Sequence, residues 1–294
     1  MASTTRAAVS VAPLIAKAAT LGAAAAILRC RAQFCHHAMG VGLANLRRRR
    51  QPVRMIHLKP IPTDLAILNQ SHMFRGARLI LGYVAEHGPI PLTPSKAFKR
   101  VFVNWAAEAF VWPHWTVADL YRVNKVLNEY DFGPLEVLHN MLIDLKLGRH
   151  YKGTFRITKL GQGLLGRPAD LFELIVPFHL FNVNHAYYSR SAHETFGDWE
   201  TALNILNVEA ENGVSLGEFC SIIFGTGPRS REQQWEAEGE LYIGVLRPLC
   251  WAGFLDEHRS KSGGLATHTY QKTALWSAIF ALKTDATVRP AMRH

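Results

Sequence analysis

The first 63 residues contain no aspartate and no glutamate; Asp64 is the first acid in the chain. Ten Lys and Arg fall in that stretch, and the other 23 basic residues are balanced by all 23 acids. The formal charge of +10 therefore belongs to a tail, and the body behind it is neutral. A pI near 9.6 is then no argument that the body binds a polyanion. Cysteine is scarce, and four residues, Cys30, Cys35, Cys220 and Cys250, exclude a disulfide-built scaffold. Cys30 and Cys35 precede His36 and His37, but no second half of a zinc site follows at the usual spacing. Cys220 in "EFCSIIF" and Cys250 in "PLCWAGF" read as buried thiols, and a reducing cytoplasm is the expected compartment. A clean apolar run of about eighteen residues is missing, so no membrane span is expected. The best candidate, residues 7–28, is mostly Ala and carries Lys17. Also missing are a Gly-x-Ser-x-Gly elbow, His-Glu-x-x-His and a dinucleotide fingerprint. Gly225 and Gly227 are followed by no Gly-Lys-Ser/Thr, so they form no phosphate loop. These absences predict no catalytic residue, no cofactor and no metal.

Four readings of the tail are open. Its Ala-rich, Arg-rich composition suits an organellar transit peptide. Arg47 to Arg50 suit a patch for nucleic acid or a membrane surface. Plain disorder is the third. The favoured reading is that native translation starts at Met55, where "MIHLKPIPTD" looks like an ordinary bacterial beginning.

What the chain does contain is a leucine-rich segment ending in a basic hairpin, present twice. One copy is "LHNMLIDLKLGRHYKGTFRITKLGQGLL", the other "LRPLCWAGFLDEHRSKSGGLATHTYQKTALWSAI". Each reads as helix, strand, Gly-containing turn, strand, helix, the back half of a winged helix. Matching the leucines sets Leu138 and Met141 against Leu246 and Leu249, and Leu147 against Leu255. Ile157-Thr158-Lys159 then matches Tyr270-Gln271-Lys272. The expected fold is mainly α with small β-hairpins: two winged-helix-like units in tandem behind a disordered basic tail. The expected boundaries are a tail over 1–63, a first unit over 64–168 and an aromatic connecting helix over 169–194. A second unit over 195–284 and a C-terminal tail over 285–294 complete the scheme.

Local signals place the elements. The stretch from Ser71 is amphipathic, ends at Gly88, and cannot continue through Pro89. Ser95 opens a helix predicted to bury Phe98, Val101, Phe102 and Trp105. Thr116 caps the next helix, with Asp119 three positions on, and Gly133-Pro134 starts the one after. In "DLFELIVPFHLFNVNHAYYSR" Pro177 is expected to kink or interrupt a helix. His179, His185 and His193 are spaced six and eight apart, poor for a metal, and read as core or interface histidines. Asn182, Asn184, His185, Tyr187 and Tyr188 are an alternative polar pocket. Ser215 with Glu218 caps a helix, and residues 232–257 read as one long helix with an acidic start.

The candidate site is the first hairpin. No acid occurs between Asp144 and Asp170, while Lys146, Arg149, Lys152, Arg156, Lys159 and Arg167 all do. Such charges serve either to keep an edge strand from aggregating or to grip a phosphate backbone. The candidate contacts are Lys96, Lys99, Arg100, Arg149, Lys152, Arg156 and Lys159. The helix before the hairpin carries Glu136 and Asp144, which oppose a nucleic-acid reading.

From Ser71 to Leu282 the order of "PIPLT", "LHNMLIDLKLG", "FRITKLGQGLL", "LFELIVPFHLFNVNHAYY" and "VLRPLCWAGFLDE" resembles the Ri-plasmid open-reading-frame-three-like family. The resemblance implies paired winged-helix-like units and an association with mobile elements. It transfers no catalytic residue, and the β-rich domain of many relatives has no counterpart here. The expected function is a non-enzymatic module that binds nucleic acid through the first hairpin. The alternatives are a protein-interaction scaffold and an enzyme with an unrecognised site. The partner, nucleic acid or another protein, is left open.

Overall fold

The computed structural model describes residues 56–188, 197–260 and 264–288. Chain contacts divide the protein into Met1–Val53 and Arg54–His294, and every described residue belongs to the second unit. The readings of the tail before Met55, of Cys30 and Cys35, and of His193 lie outside the described residues.

The structure is mainly helical, with small antiparallel sheets. Its first half runs β1 (His57–Leu58), α1 (Leu65–Leu68), α2 (His72–His87), β2 (Ile90–Pro91), α3 (Arg100–Ala109), α4 (Val117–Val123), α5 (Gly133–Asp144), β3 (Gly148–Tyr151), β4 (Thr154–Ile157) and α6 (Lys159–Leu165). Helix α7 (Pro168–Phe181) leads out of it. The second half runs α8 (Trp199–Glu209), β5 (Val214–Ser215), α9 (Leu216–Phe224), α10 (Arg231–Leu241), α11 (Arg247–Trp251), β6 (Leu255–His258), β7 (Thr269–Lys272), α12 (Ala274–Ile279) and β8 (Phe280–Ala281). In each half a helix, a short strand, two or three helices and a hairpin follow in that order. In each, the lone strand pairs with the returning strand of the hairpin, giving β2-β4-β3 and β5-β7-β6.

Local chemistry explains most boundaries. Ser71, Thr116, Ser215 and Ser230 cap their helices through side-chain oxygens, the last three as reciprocal capping boxes with Asp119, Glu218 and Gln233. Gly88, at φ 84°, ends α2 in the left-handed region. Helix α8 stops at Glu209, short of the expected Gly213, which turns the chain into β5 at φ 91°. Three expectations are corrected. Helix α3 starts at Arg100 rather than Ser95, and Val101 is 80% exposed while Val103 is buried. Phe98 lies before the helix, in a bridge to Leu92. Pro177 does not interrupt helix α7, which continues through it to Phe181. The long acidic helix ends at Trp251 and contains a π turn over Tyr242–Leu246, just before Pro248.

Backbone hydrogen bonds give the true register between the halves. Leu147 N donates to Leu142 O at 2.9 Å, and Phe254 N to Leu249 O at 2.9 Å. Thr158 N and Thr273 N then donate to Leu147 O and Phe254 O, both at 3.0 Å. Leu147 is therefore matched by Phe254, not Leu255, and counting back sets Leu138 and Met141 against Val245 and Pro248. Tyr270-Gln271-Lys272 matches Phe155-Arg156-Ile157, two residues earlier than the letters suggest. The letters misled because the turn residue after each helix differs: Lys146 (φ 57°) stands where the second half has Gly253 (φ 82°).

The two halves share one contiguous apolar core. Trp112 packs edge-on against Trp251, with ring centroids 5.8 Å apart. His179 Nε2 hydrogen-bonds Pro248 O at 3.3 Å. Leu275 N donates to Gln70 Oε1 at 3.2 Å. Residues 57–59, assigned by composition to the tail, are part of this body. His57 and Leu58 pair with Ala281 and Phe280, and Lys59 N donates to Ile279 O at 2.7 Å. At the other end Asp285 accepts from Asn207 Nδ2 at 3.0 Å, so it too is engaged. Among the described residues no helix is long and apolar enough to cross a membrane.

Candidate functional site

Strands β3 and β4 pair Arg149 with Arg156, Tyr151 with Thr154, and His150 with Phe155. Side chains alternate along a strand, so Arg149, Tyr151, Thr154 and Arg156 share one face and Gly148, His150, Phe155 and Ile157 the other. Phe155 and Gly148 are buried, so the second face meets the core. A Cβ on Gly148 would overlap the Phe155 ring. The turn is Lys152-Gly153, both left-handed at φ 46° and 70°, the geometry that joins two strands in two residues. On the outer face Tyr151 is 43% exposed. Arg149 Cζ, Lys152 Nζ and Arg156 Cζ lie 5.5, 5.4 and 5.0 Å from the centroid of its ring. Like charges directly across a strand pair destabilise it. The ring offsets part of that repulsion, at about 0.5–1 kcal/mol per cation.

Of the other basic candidates, Lys96 joins this turn. Leu92 N donates to Gly153 O at 2.9 Å, which holds the loop of Lys96 beside the hairpin tip. The Lys96 charge also bears on His150. Lys99 precedes α3, its N–H bonded to Pro91 O at 3.2 Å. Arg100 Nε donates to Asn128 Oδ1 at 3.0 Å, which commits its guanidinium to that loop. Lys159 opens α6, at the opposite end of the hairpin from the turn.

Beneath the hairpin is a polar chain that sequence reading missed. Glu129, in a 3-10 turn before α5, accepts from the Phe98 N–H and from His139 Nδ1, the latter at 2.5 Å. His139 Nε2 lies 2.8 Å from His150 Nε2. The Phe98 ring stacks on His139 with centroids 3.9 Å apart. Glu129 and His139 are buried, and His150 is exposed. Glu136, one turn before His139, is pushed up to about 7 by burial and then by the charge of Glu129. His150 is pulled below its ordinary value by burial, then by His139 and Lys96. Spacings of ten and eleven match no helical or metal pattern. The one available signal was strand alternation, which turns His150 inward between outward Arg149 and Tyr151.

The second hairpin is an internal comparison. Its outer face carries Asp256, His258, Thr269 and Gln271 where the first carries Arg149, Tyr151, Thr154 and Arg156. Its inner position equivalent to His150 is Glu257. Glu257 accepts from His268 Nδ1 at 3.0 Å, Arg259 Nε at 3.1 Å and Tyr270 Oη at 3.3 Å. His114, from the first half, lies 3.7 Å from the same carboxylate. This cluster joins the halves, and its one described arginine, Arg259, is paired with the Glu257 carboxylate at 3.0 Å.

The described residues of the alternative pocket divide between surface and core. Asn184 is exposed and caps Ala186 N at 3.1 Å. His185 is buried, its Nε2 2.8 Å from His179 O. Tyr187 is exposed, and of Tyr188 only the backbone is described. His179 and His185 are core histidines: burial, then the Arg247 charge, pull His185 to about 3. Cys220 is a buried free thiol and Cys250 a partly buried one. Among the described residues no three His, Cys, Asp or Glu side chains group as a metal site.

No solved structure matches this chain. The family described as "Y4jL N-terminal domain" matches residues 69–170, and that described as "y4jL C-terminal domain" matches residues 189–274. A relative from Sinorhizobium fredii, "Uncharacterized protein y4jL", is 38% identical over 162 residues, which span 55% of this chain and 74% of the relative. The matched segments hold both hairpins and the helices that carry them, and on that evidence the chain belongs to the Y4jL family.

Proposed function

We propose that the protein is a non-enzymatic nucleic-acid-binding module built of two winged-helix-like units, and that the first hairpin grips the phosphate backbone. The observation that carries this reading is the gathering of Arg149, Lys152 and Arg156 around the ring of exposed Tyr151. Edge protection alone does not require it, because the paired strand positions equivalent to Arg149 and Arg156 in the second hairpin are Asp256 and Gln271. Two arginines placed directly across the strands repel each other, and a polyanion relieves that cost. The order of elements supports the winged-helix assignment. The order of motifs supports the finer placement with the Ri-plasmid open-reading-frame-three-like proteins and their mobile elements.

The exposed side of α5 carries Asn140 and Asp144 beside partly buried Glu136, which argues against its insertion into a groove. The contact is therefore with phosphates, which position a nucleic acid without reading its sequence. The test is a salt titration of full-length protein with duplex and single-stranded DNA or RNA. Each phosphate contact contributes about −0.9 to the log–log slope on duplex DNA. Replacing Arg149, Lys152 and Arg156 together by Ala should weaken binding to all sequences alike and reduce the slope by roughly 2.7. The basic tail is present in both proteins, so the difference isolates the hairpin. Binding unchanged in the triple variant removes this reading. A protein partner then becomes the better account, favoured by Trp235, which is 59% exposed on acidic α10 with Arg231 Cζ 4.6 Å from its ring centroid.

A further inference from the structure

We propose that the grip of the first hairpin on a nucleic-acid backbone is coupled to proton uptake by the polar chain beneath it, so that a polyanion is held more tightly as pH falls. The proposal rests on the nucleic-acid reading above and concerns the regulation of that site. The hairpin is two-sided. Its outer face carries the cations, and its inner face meets the body through His150, His139 and Glu129.

The chain has one arrangement that satisfies every bond with both rings neutral. Glu129 accepts the His139 Nδ1–H, and His139 Nε2 accepts the His150 Nε2–H. This leaves the lone pair of His150 on Nδ1, the atom outside the chain. A proton arriving there makes His150 cationic and breaks no hydrogen bond, since Nε2 remains a donor. Besides its own Glu129 and His139, the chain feels Glu136 of α5 through the Glu129 charge, while Asp131 of the 3-10 turn is engaged with Asn128. Lys96 comes from the loop beside the turn, and Arg149 and Arg156 lie on the far face of the hairpin.

Two groups are poised to respond. Glu136, raised to about 7 by burial and by Glu129, is negative above neutrality and would repel a phosphate. His150 is lowered by burial, His139 and Lys96, which favours its neutral form. A bound polyanion favours the protonated form of each, so both values rise on binding and protons are taken up. By linkage, affinity then increases as pH falls, by at most about tenfold per pH unit for each proton taken up.

The test is the affinity of full-length protein for a short duplex at constant ionic strength between pH 8.5 and 5.5. Far-ultraviolet circular dichroism at each pH checks that the fold is kept. The parent should bind about threefold to tenfold more tightly at pH 6 than at pH 8. Glu136→Gln should bind more tightly than the parent at pH 8 and flatten the limb around pH 7. His150→Gln should flatten the limb below it. The triple Ala variant of Arg149, Lys152 and Arg156 reports what the tail contributes at each pH, and that contribution is subtracted. Hairpin-dependent binding that does not change with pH, or that changes equally in both single variants and the parent, overturns the coupling alone. Absence of hairpin-dependent binding at every pH overturns the nucleic-acid reading and the coupling with it.

Discussion

Replacing Gly253 by Ala probes how the two halves are joined. Gly253 sits after α11 at φ 82°, a conformation that costs an L-residue about 1–2 kcal/mol. A Cβ there would also overlap the Gln70 carbonyl oxygen and lie 2.6 Å from its carbon and 2.7 Å from the Ser71 Cα. Those atoms are backbone at the N-terminus of α2, so they cannot turn aside as a side chain would. Forcing a group into a packed site costs about 1–3 kcal/mol. The alanine also restricts the unfolded chain, which offsets about 0.4–1 kcal/mol. The net expectation is a loss of roughly 2–4 kcal/mol. Gly213 is the control, because its φ is 91° but the space around its missing Cβ is open. Gly213→Ala should cost only the backbone term less the offset, about 1 kcal/mol. Urea unfolding followed by circular dichroism measures both, and their difference isolates the contact between Gly253 and Gln70. If the two variants unfold at the same urea concentration, the close approach has no energetic weight and the argument fails.

Leu142 and Leu249 are both fully buried where a helix turns into its hairpin, so truncating either to Ala should lower stability by about 2–5 kcal/mol. Lys152→Ala should leave the urea midpoint nearly unchanged, since its side chain is exposed. Acid should destabilise the fold early. His72 is pulled to about 4 by burial and then Arg75, and His185 to about 3 by burial and then Arg247. Unfolded, both would bind a proton near their ordinary 6.5, so the unfolded chain holds more protons below that value, and stability falls as pH drops from about 6.5 towards 4. A urea midpoint that stays constant over that window would contradict their burial as neutral rings. Glu136 works in the opposite sense. Its folded value of about 7 lies above its ordinary 4.5, so its contribution is present at low pH and lost as pH rises through 7. Glu136→Gln should therefore raise stability more at pH 8 than at pH 5, as paired thermal melts would reveal.

The sequence alone determined the features that depend on near neighbours. Thr116 with Asp119 and Ser215 with Glu218 are capping boxes in the structure, as their spacing predicts. Gly88 and Gly133-Pro134 mark helix boundaries where they were expected, because caps and left-handed turns are set by residues three or four apart. The two hairpins were legible for the same reason, and so was the basic character of the first. Burial of Leu142, Leu249, His179 and His185 followed from apolar context. What depends on distant partners was not legible. Val101 and Val103 look alike as letters, and only the packed structure, in which the helix starts at Arg100, decides that Val103 faces the core. The register between the halves was misread because backbone hydrogen bonds, not leucines, define it, and Lys146 holds a glycine's conformation. Lys96 and the hairpin tip are joined by pairing of β2 with β4 across more than fifty residues of chain, as the partner numbers Pro91 and Thr154 record. The chain of Glu129, His139 and His150 required three elements to pack before its members could meet. A carboxylate and two imidazoles give no local signal when they lie ten or more residues apart; only tertiary packing buries Glu129 and His139 and brings His150 within hydrogen-bond distance.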